Sequence, residues 1–151
     1  MTQQDSNFLS MVQSLKEYAV EVRRDKRLVS PTARTVAVQS RPCGSRLTLD
    51  VDICNGRVVD VGYQVRACSL GQATTANFSR RAIGMNLKEI ENVAIQLEKV
   101  LKGQPLKADE LKWPELSIFS HAVGFPSRPG SALLPFDAIR VVVKKEGIHL
   151  R

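Results

Sequence analysis

Hydrophobic positions near the N-terminus recur at intervals of three and four residues, which places them on one face of an amphipathic helix. They are Phe8, Met11, Val12, Leu15, Ala19 and Val22. A basic run at 23–27 follows, where positive charge suits a helix C-terminus, and Pro31 interrupts the chain shortly afterwards. The pattern predicts an N-terminal helix that packs its apolar face against the rest of the protein.

Residues 46–54 alternate strictly between apolar and polar, which is typical of a half-buried strand. Asn55-Gly56 comes next and favours a type I′ hairpin turn, because both central residues of that turn need positive φ. We expect a returning strand over 58–65, and a third antiparallel strand over 35–39. The alternating apolar set of the returning strand is predicted to be Val59, Val61, Tyr63 and Val65.

After the hairpin the pattern returns to that of helices. Small residues predict a helix over 69–83, and Asn86 with Glu89 resembles a capping box that opens the next helix. A short helix is expected over 116–123 and a last helix over 131–145. The predicted fold class is therefore α+β, with a three-stranded antiparallel sheet and helices packed on one face.

Length and charge narrow the function classes. The 151 residues predict a single domain spanning 1–151. The formal net charge of +7 permits an acidic partner, but the basic run lacks interleaved aromatic residues, so we expect no nucleic-acid binding. No apolar run reaches the length of a membrane span, which predicts no membrane association. Three cysteines without disulfide-framework spacing favour a reducing compartment, and we expect a cytoplasmic protein.

Two cysteines lie where elements begin. Cys43 precedes the hairpin, and Cys68 opens the helix that follows it. Antiparallel pairing of the hairpin predicts that both lie at the same end of the sheet. A helix N-terminus favours thiolate, which is both the nucleophile and the metal ligand. Each cysteine could equally be a small buried residue. Cys54 faces outward beside the turn and is interpreted as a surface thiol.

The segment from Arg41 to Gly84 resembles the NifU/IscU/SufU-type scaffolds of iron–sulfur cluster assembly. These proteins have Cys-Gly-Asp before the hairpin and Gly-Cys or Ala-Cys at the start of the helix; this chain has Cys43-Gly44-Ser45 and Ala67-Cys68. The segment SRPGSALLPFDAI resembles the third motif of the SufU-like branch, Arg-x-x-Cys-Ala-x-Leu. The resemblance implies an IscU/SufE-like fold and a scaffold rather than an enzyme.

The resemblance implies a [2Fe-2S] cluster or zinc on Cys43 and Cys68, with sulfur supplied by a cysteine desulfurase and the cluster passed to iron–sulfur acceptor proteins. Two family ligands are replaced, since Ser45 stands at the aspartate and Ser131 at the third cysteine. Two chains could bridge one cluster in a homodimer, or a small thiol could complete the ligands. Alternatively, the chain binds no metal and acts as a non-catalytic interaction module or a persulfide carrier.

Two further residues are candidates for an auxiliary role. Arg128 matches the arginine of the SufU-like motif and could neutralise thiolates or a cluster. His121 could replace a missing ligand, although a histidine hydrogen-bonded to backbone is the more common arrangement.

Overall fold

A computed structural model of the protein describes residues 2–40, 44–104, 106–122 and 128–147. Its helices are α1 (Gln3–Glu21), α2 (Ser69–Arg81), α3 (Leu87–Leu101), α4 (Arg128–Ala132) and α5 (Leu134–Lys145). Its strands are β1 (Arg34–Ser40), β2 (Ser45–Cys54) and β3 (Arg57–Arg66), and Ala108–Glu110 and Pro114–Ala122 form 3₁₀ helices. The described helices and strands confirm the predicted α+β class. None of the described helices is long and apolar enough to span a membrane.

The three strands form one antiparallel sheet in the order β1-β2-β3. Asn55 and Gly56 connect β2 and β3 with φ of 53° and 74°, so the hairpin turn uses the positive-φ conformation that the Asn-Gly pair predicted. The alternate residues of β2 that start at Ser45 face the helices, and Leu47, Leu49 and Val51 are buried there. One face of the sheet therefore carries the core.

The alternation of β3 breaks near the turn, where Asp52 pairs with Asp60 but Ile53 pairs with Val58. Val59 is the extra residue of this bulge and is 48% exposed, whereas Val58 is completely buried. The predicted alternation, which grouped Val59 with Val61, Tyr63 and Val65, is therefore wrong at Val59. An extra residue in one strand moves the side chains beyond it to the opposite face, because the side-chain period of a strand is two.

The core is closed by an aromatic cluster. Phe78 of α2, Trp113 and Phe136 of α5 are all buried. Their ring centroids lie 5.4–6.0 Å apart, and Phe78 meets the other two rings edge to face. This arrangement is favourable for aromatic quadrupoles. The cluster ties α2 to α5 and to the segment that follows α3.

The ends of the helices follow local signals with one exception. The predicted capping box is confirmed, since Asn86 Oδ1 accepts from the Glu89 N–H (2.8 Å) and Glu89 Oε1 accepts from the Asn86 N–H (3.2 Å). The helix predicted over 131–145 is instead two helices, α4 and α5. The break lies at Leu133, directly before the first turn of α5, where Pro135 lacks an N–H and favours a helix start.

The face of the sheet away from the helices is crossed by the segment between α1 and β1. The backbone of Lys26 pairs with that of Tyr63 at the edge of β3. A Cβ on Gly62 would lie 2.5 Å from the carbonyl oxygen of Lys26, so only glycine permits this close approach. The segment then reaches Asp50, which is 1% exposed. It covers the hairpin-turn half of this face and leaves the other half open.

Candidate functional site

The pairing of β2 with β3 brings the start of one strand to the end of the other. Arg46 pairs with Arg66, so Ser45 and Cys68 lie at the same end of the sheet. Gly44 has φ of 69°, and its N–H donates to the carbonyl of Ser40 (2.8 Å), which makes the connection into β2 tight. The predicted position of Cys68 is confirmed, whereas Cys43 lies outside the described residues.

Cys68 occupies the N-cap position of α2 in an extended conformation, with φ of −67° and ψ of 173°. Its side chain makes no capping hydrogen bond to the helix. Instead, its thiol donates to Ser131 Oγ over 3.2 Å, and its backbone N–H donates to Ser45 Oγ over 3.4 Å. The sulfur is therefore directed from the helix N-terminus toward α4.

Ser45 and Ser131 are themselves joined, since the Ser131 hydroxyl donates to Ser45 Oγ over 3.2 Å. Both residues are buried, at 3% and 0% exposure. A hydroxyl can rotate and can either accept or donate, so Ser131 can accept from a thiol and can donate to a thiolate. The three residues form one hydrogen-bonded cluster, which we call the Cys68 cluster, in which Cys68 is the least buried member.

Two glycines allow the elements around this cluster to approach closely. A Cβ on Gly71 would lie 2.4 Å from Ser131 Oγ, and a Cβ on Gly130 would lie 2.5 Å from Ser40 Oγ. The sequence showed small residues at the start of α2 but did not predict these contacts. The buried Ser40 takes up the space that a side chain on Gly130 would need.

The donor atoms of the Cys68 cluster are one thiol sulfur and two neutral hydroxyl oxygens. Serine rarely replaces thiolate on iron or zinc, and a tetrahedral site needs about four ligands. No group of three or more His, Cys, Asp or Glu residues suited to a metal occurs within the described part of the chain. Even with Cys43, one chain supplies at most two thiolates here, which does not fit a complete cluster.

The backbone positions of the other candidate residues, His121, Arg128 and Cys54, are described, but not all of their side chains are. His121 belongs to the 3₁₀ helix Pro114–Ala122, and Arg128 is the first residue of α4, three positions before Ser131. The side chains of both lie outside the described structure, so their auxiliary roles stay predictions. Cys54 is exposed at the hairpin-turn end of β2, as predicted, and is remote in register from Ser45.

Comparison with known proteins supports the resemblance to scaffolds of iron–sulfur cluster assembly. The family model of the NifU-like N terminal domain matches residues 21–124. The iron–sulfur cluster assembly scaffold protein IscU of Thermotoga maritima is 26% identical over 103 residues, which are 68% of this chain and 71% of that protein.

Two solved structures share the fold. A NifU-like protein from Brucella abortus has a TM-score of 0.81 at 26% identity, over 94% of this chain and 99% of that chain. A SufU-type scaffold from Fervidobacterium islandicum AW-1 has a TM-score of 0.74 at 19% identity, over 85% of this chain and 93% of that chain. The protein thus belongs to the NifU-like N-terminal domain family, which confirms the resemblance to the NifU, IscU and SufU scaffolds.

Proposed function

We propose that this protein is a scaffold in iron–sulfur cluster assembly that receives sulfur from a cysteine desulfurase. It would hold iron or a nascent cluster on the thiolates of Cys43 and Cys68 and pass it to acceptor proteins. As a scaffold it binds cargo and does not turn over a substrate by itself.

The observation that carries this proposal is the position of Cys68. Its sulfur lies at the N-terminus of α2, where free backbone N–H groups and the helix dipole favour negative charge. The Ser131 hydroxyl lies 3.2 Å from that sulfur and can donate to it once the thiol has lost its proton. Both features stabilise the thiolate that iron requires.

The number of thiolate ligands in one chain bears on the oligomeric state of the cluster-loaded protein. Cys68 and Cys43 are the only thiols that the motifs assign to the site, and the serines contribute neutral oxygens. A [2Fe-2S] cluster with four thiolate ligands therefore needs two chains, or one chain and two external thiols. We expect the cluster-loaded form to be a homodimer when no external thiol is present.

Replacing Cys68 by serine should abolish cluster formation. We expect the unmodified protein to develop thiolate-to-iron absorption on anaerobic reconstitution with iron and sulfide, and Cys68→Ser to develop none. The matched control is Cys54→Ser, because it removes an equally small thiol from an exposed position at the opposite end of β2. Unchanged reconstitution of Cys68→Ser, or equal loss in both variants, contradicts the scaffold proposal.

A second candidate function follows from the hydroxyls around the sulfur. A persulfide carrier needs one thiolate and nearby hydrogen-bond donors, and no complete set of metal ligands. The Cys68 thiolate attacks the outer sulfur of a persulfide on the donor enzyme, forming a new S–S bond as the donor's S–S bond breaks. The donor cysteine leaves as a thiolate, so the transfer involves no net oxidation or reduction.

Mass spectrometry tests sulfur transfer to Cys68, and such transfer without cluster formation on reconstitution favours the carrier over the scaffold. After incubation with a cysteine desulfurase and cysteine, a carrier should gain one sulfur atom on the peptide that contains Cys68. The Cys54→Ser variant should gain the same mass, and Cys68→Ser should not. If the unmodified protein shows no added sulfur on any cysteine under these conditions, the carrier function is wrong.

A further inference from the structure

The open half of the sheet face away from the helices contains a groove of about 470 Å³ that crosses all three strands. It lies at the same end of the sheet as Cys68, but on the other side, because Arg46 and Ser45 are consecutive residues of one strand. The lining residues are Ala37, Val38, Gln39, Arg46, Leu47, Thr48, Gln64 and Arg66. None of these residues belongs to the Cys68 cluster.

The groove ends where the segment between α1 and β1 crosses the sheet. That segment is held at Asp50 by the Arg27 side chain and the Leu28 N–H, and at Asp52 by the Ser30 and Thr32 hydroxyls. Both carboxylates on this face of β2 are therefore occupied by the segment. The polar positions that remain in the groove carry no negative charge.

The groove has an excess of positive charge. Arg46 and Arg66 are directly paired across the strands, and like charges in this position are destabilising. Arg66 is compensated by Asp25, at 3.0 Å, but Arg46 is exposed and has no ion pair within the described residues. An anionic group placed in the groove would relieve this repulsion, which favours a carboxylate-bearing occupant.

The uncharged lining indicates a peptide rather than a bare anion. Gln39 and Gln64 each carry an amide donor and an amide acceptor, and Thr48 carries a hydroxyl. A peptide backbone offers regularly spaced N–H donors as well as carbonyl acceptors, whereas an inorganic oxyanion such as sulfate offers acceptors only. The Gln64 amide nitrogen donates to Asp25 (2.9 Å), and the amide oxygen of the same side chain is an acceptor for a backbone N–H.

We propose that this groove binds an acidic segment of a partner protein, with Arg46 pairing to a carboxylate and the glutamines bonding to the peptide backbone. This docking surface is separate from the thiol chemistry of the proposed function, since none of its residues belongs to the Cys68 cluster. A partner held there would be adjacent to the end of the sheet where cargo is bound.

Binding of a fluorescent oligoglutamate peptide to the full chain tests this proposal. We expect binding by fluorescence anisotropy that weakens as salt is raised, and a loss of affinity of about ten-fold or more in Arg46→Glu. The matched control is Lys88→Glu, which makes the same charge change at an exposed position on α3 and should lose little affinity. Circular dichroism confirms that both variants remain folded.

Each other outcome overturns the proposal. Equal losses in Arg46→Glu and Lys88→Glu would mean that the peptide responds only to net charge. Complete competition by an equal concentration of inorganic phosphate would indicate a simple anion site. Preferential binding of single-stranded oligothymidylate would indicate a nucleic-acid surface. Because the Cys68→Ser variant should bind the peptide normally, failure of this proposal is distinguishable from failure of the scaffold function.

Discussion

Replacing Ser131 by cysteine should raise the affinity of the protein for thiolate-binding metal ions by more than about ten-fold. The new sulfur would stand beside that of Cys68, where Ser131 Oγ now lies 3.2 Å from it. Together with Cys43 it would give one chain three thiolates, and structural metal sites take about four ligands. Changing even an outer partner of a metal ligand alters affinity by about 10–100-fold, so a full ligand should do at least as much.

The side chain at position 131 can lie beside α2 only because residue 71 is glycine, since a Cβ there would lie 2.4 Å from Ser131 Oγ. The larger sulfur of a cysteine at position 131 therefore relies on the same missing side chain. The buried hydrogen bond from Ser131 to Ser45 is lost, at a cost in stability of about 1 kcal/mol. That cost is small compared with the binding energy of a third thiolate.

The metal affinity of Ser131→Cys can be measured by titration with cobalt, with thiolate-to-metal absorption as the signal. The control is Ser79→Cys, which adds a thiol to the same helix that Cys68 opens. Ser79 is far from Cys68 along α2 and bonds to the Ala76 carbonyl. If Ser131→Cys gains no affinity over Ser79→Cys, then the Cys68 cluster does not have the geometry of a metal site, and the carrier function gains support.

Replacing Asp50 by asparagine should destabilise the fold by about 2–3 kcal/mol at neutral pH. Asp50 accepts from the Arg27 guanidinium at 2.7 and 3.0 Å, from Thr35 Oγ1 at 2.6 Å, and from the Leu28 N–H at 3.0 Å. Breaking a buried ion pair costs about 3–5 kcal/mol. We expect a smaller loss, of about 2–3 kcal/mol, because the Arg27 side chain is 43% exposed and can be solvated when its partner is removed.

The loss should depend on pH in a defined direction. Burial by itself raises the pKa of Asp50, but the hydrogen bonds from Arg27, Thr35 and Leu28 outweigh it and lower the pKa below the usual aspartate value. A carboxyl whose pKa is lowered by folding stabilises the protein above its unfolded pKa of about 3.9. That contribution is lost as the pH falls through the folded value, which is the lower of the two, so the stabilities of Asp50→Asn and the unmodified protein should begin to converge below about pH 4.

Urea unfolding at neutral and acidic pH measures this difference. The control is Asp52→Asn, on the same face of β2, whose carboxylate bonds only to the hydroxyls of Ser30 and Thr32 among the described residues. We expect that control to lose less than about 1 kcal/mol. Equal destabilisation by the two substitutions at neutral pH would mean that the buried ion pair of Asp50 is not what holds the segment between α1 and β1.

Features with a local cause were predicted well. The alternation of β2, the Asn55-Gly56 turn and the capping box at Asn86 each depend on residues within a few positions of one another, so composition and spacing are sufficient. The position of Cys68 at the end of the sheet where β2 begins also followed from the sequence, because antiparallel pairing brings the end of β3 beside the start of β2. The resemblance to the family motifs then predicted the positions at which this chain has serine in place of a ligand.

The amino-acid sequence by itself determined the α+β class, the Asn55-Gly56 hairpin and the capping box at Asn86, and its resemblance to the family predicted the positions at which serines replace an aspartate and a third cysteine. The tertiary structure decided the contacts between distant segments: Ser131 beside Cys68, Asp50 beneath the segment from α1, and the open groove that contains Arg46. It also decided the bulge that exposes Val59. These features depend on which surfaces fit together after the chain has folded, and no local pattern records that fit.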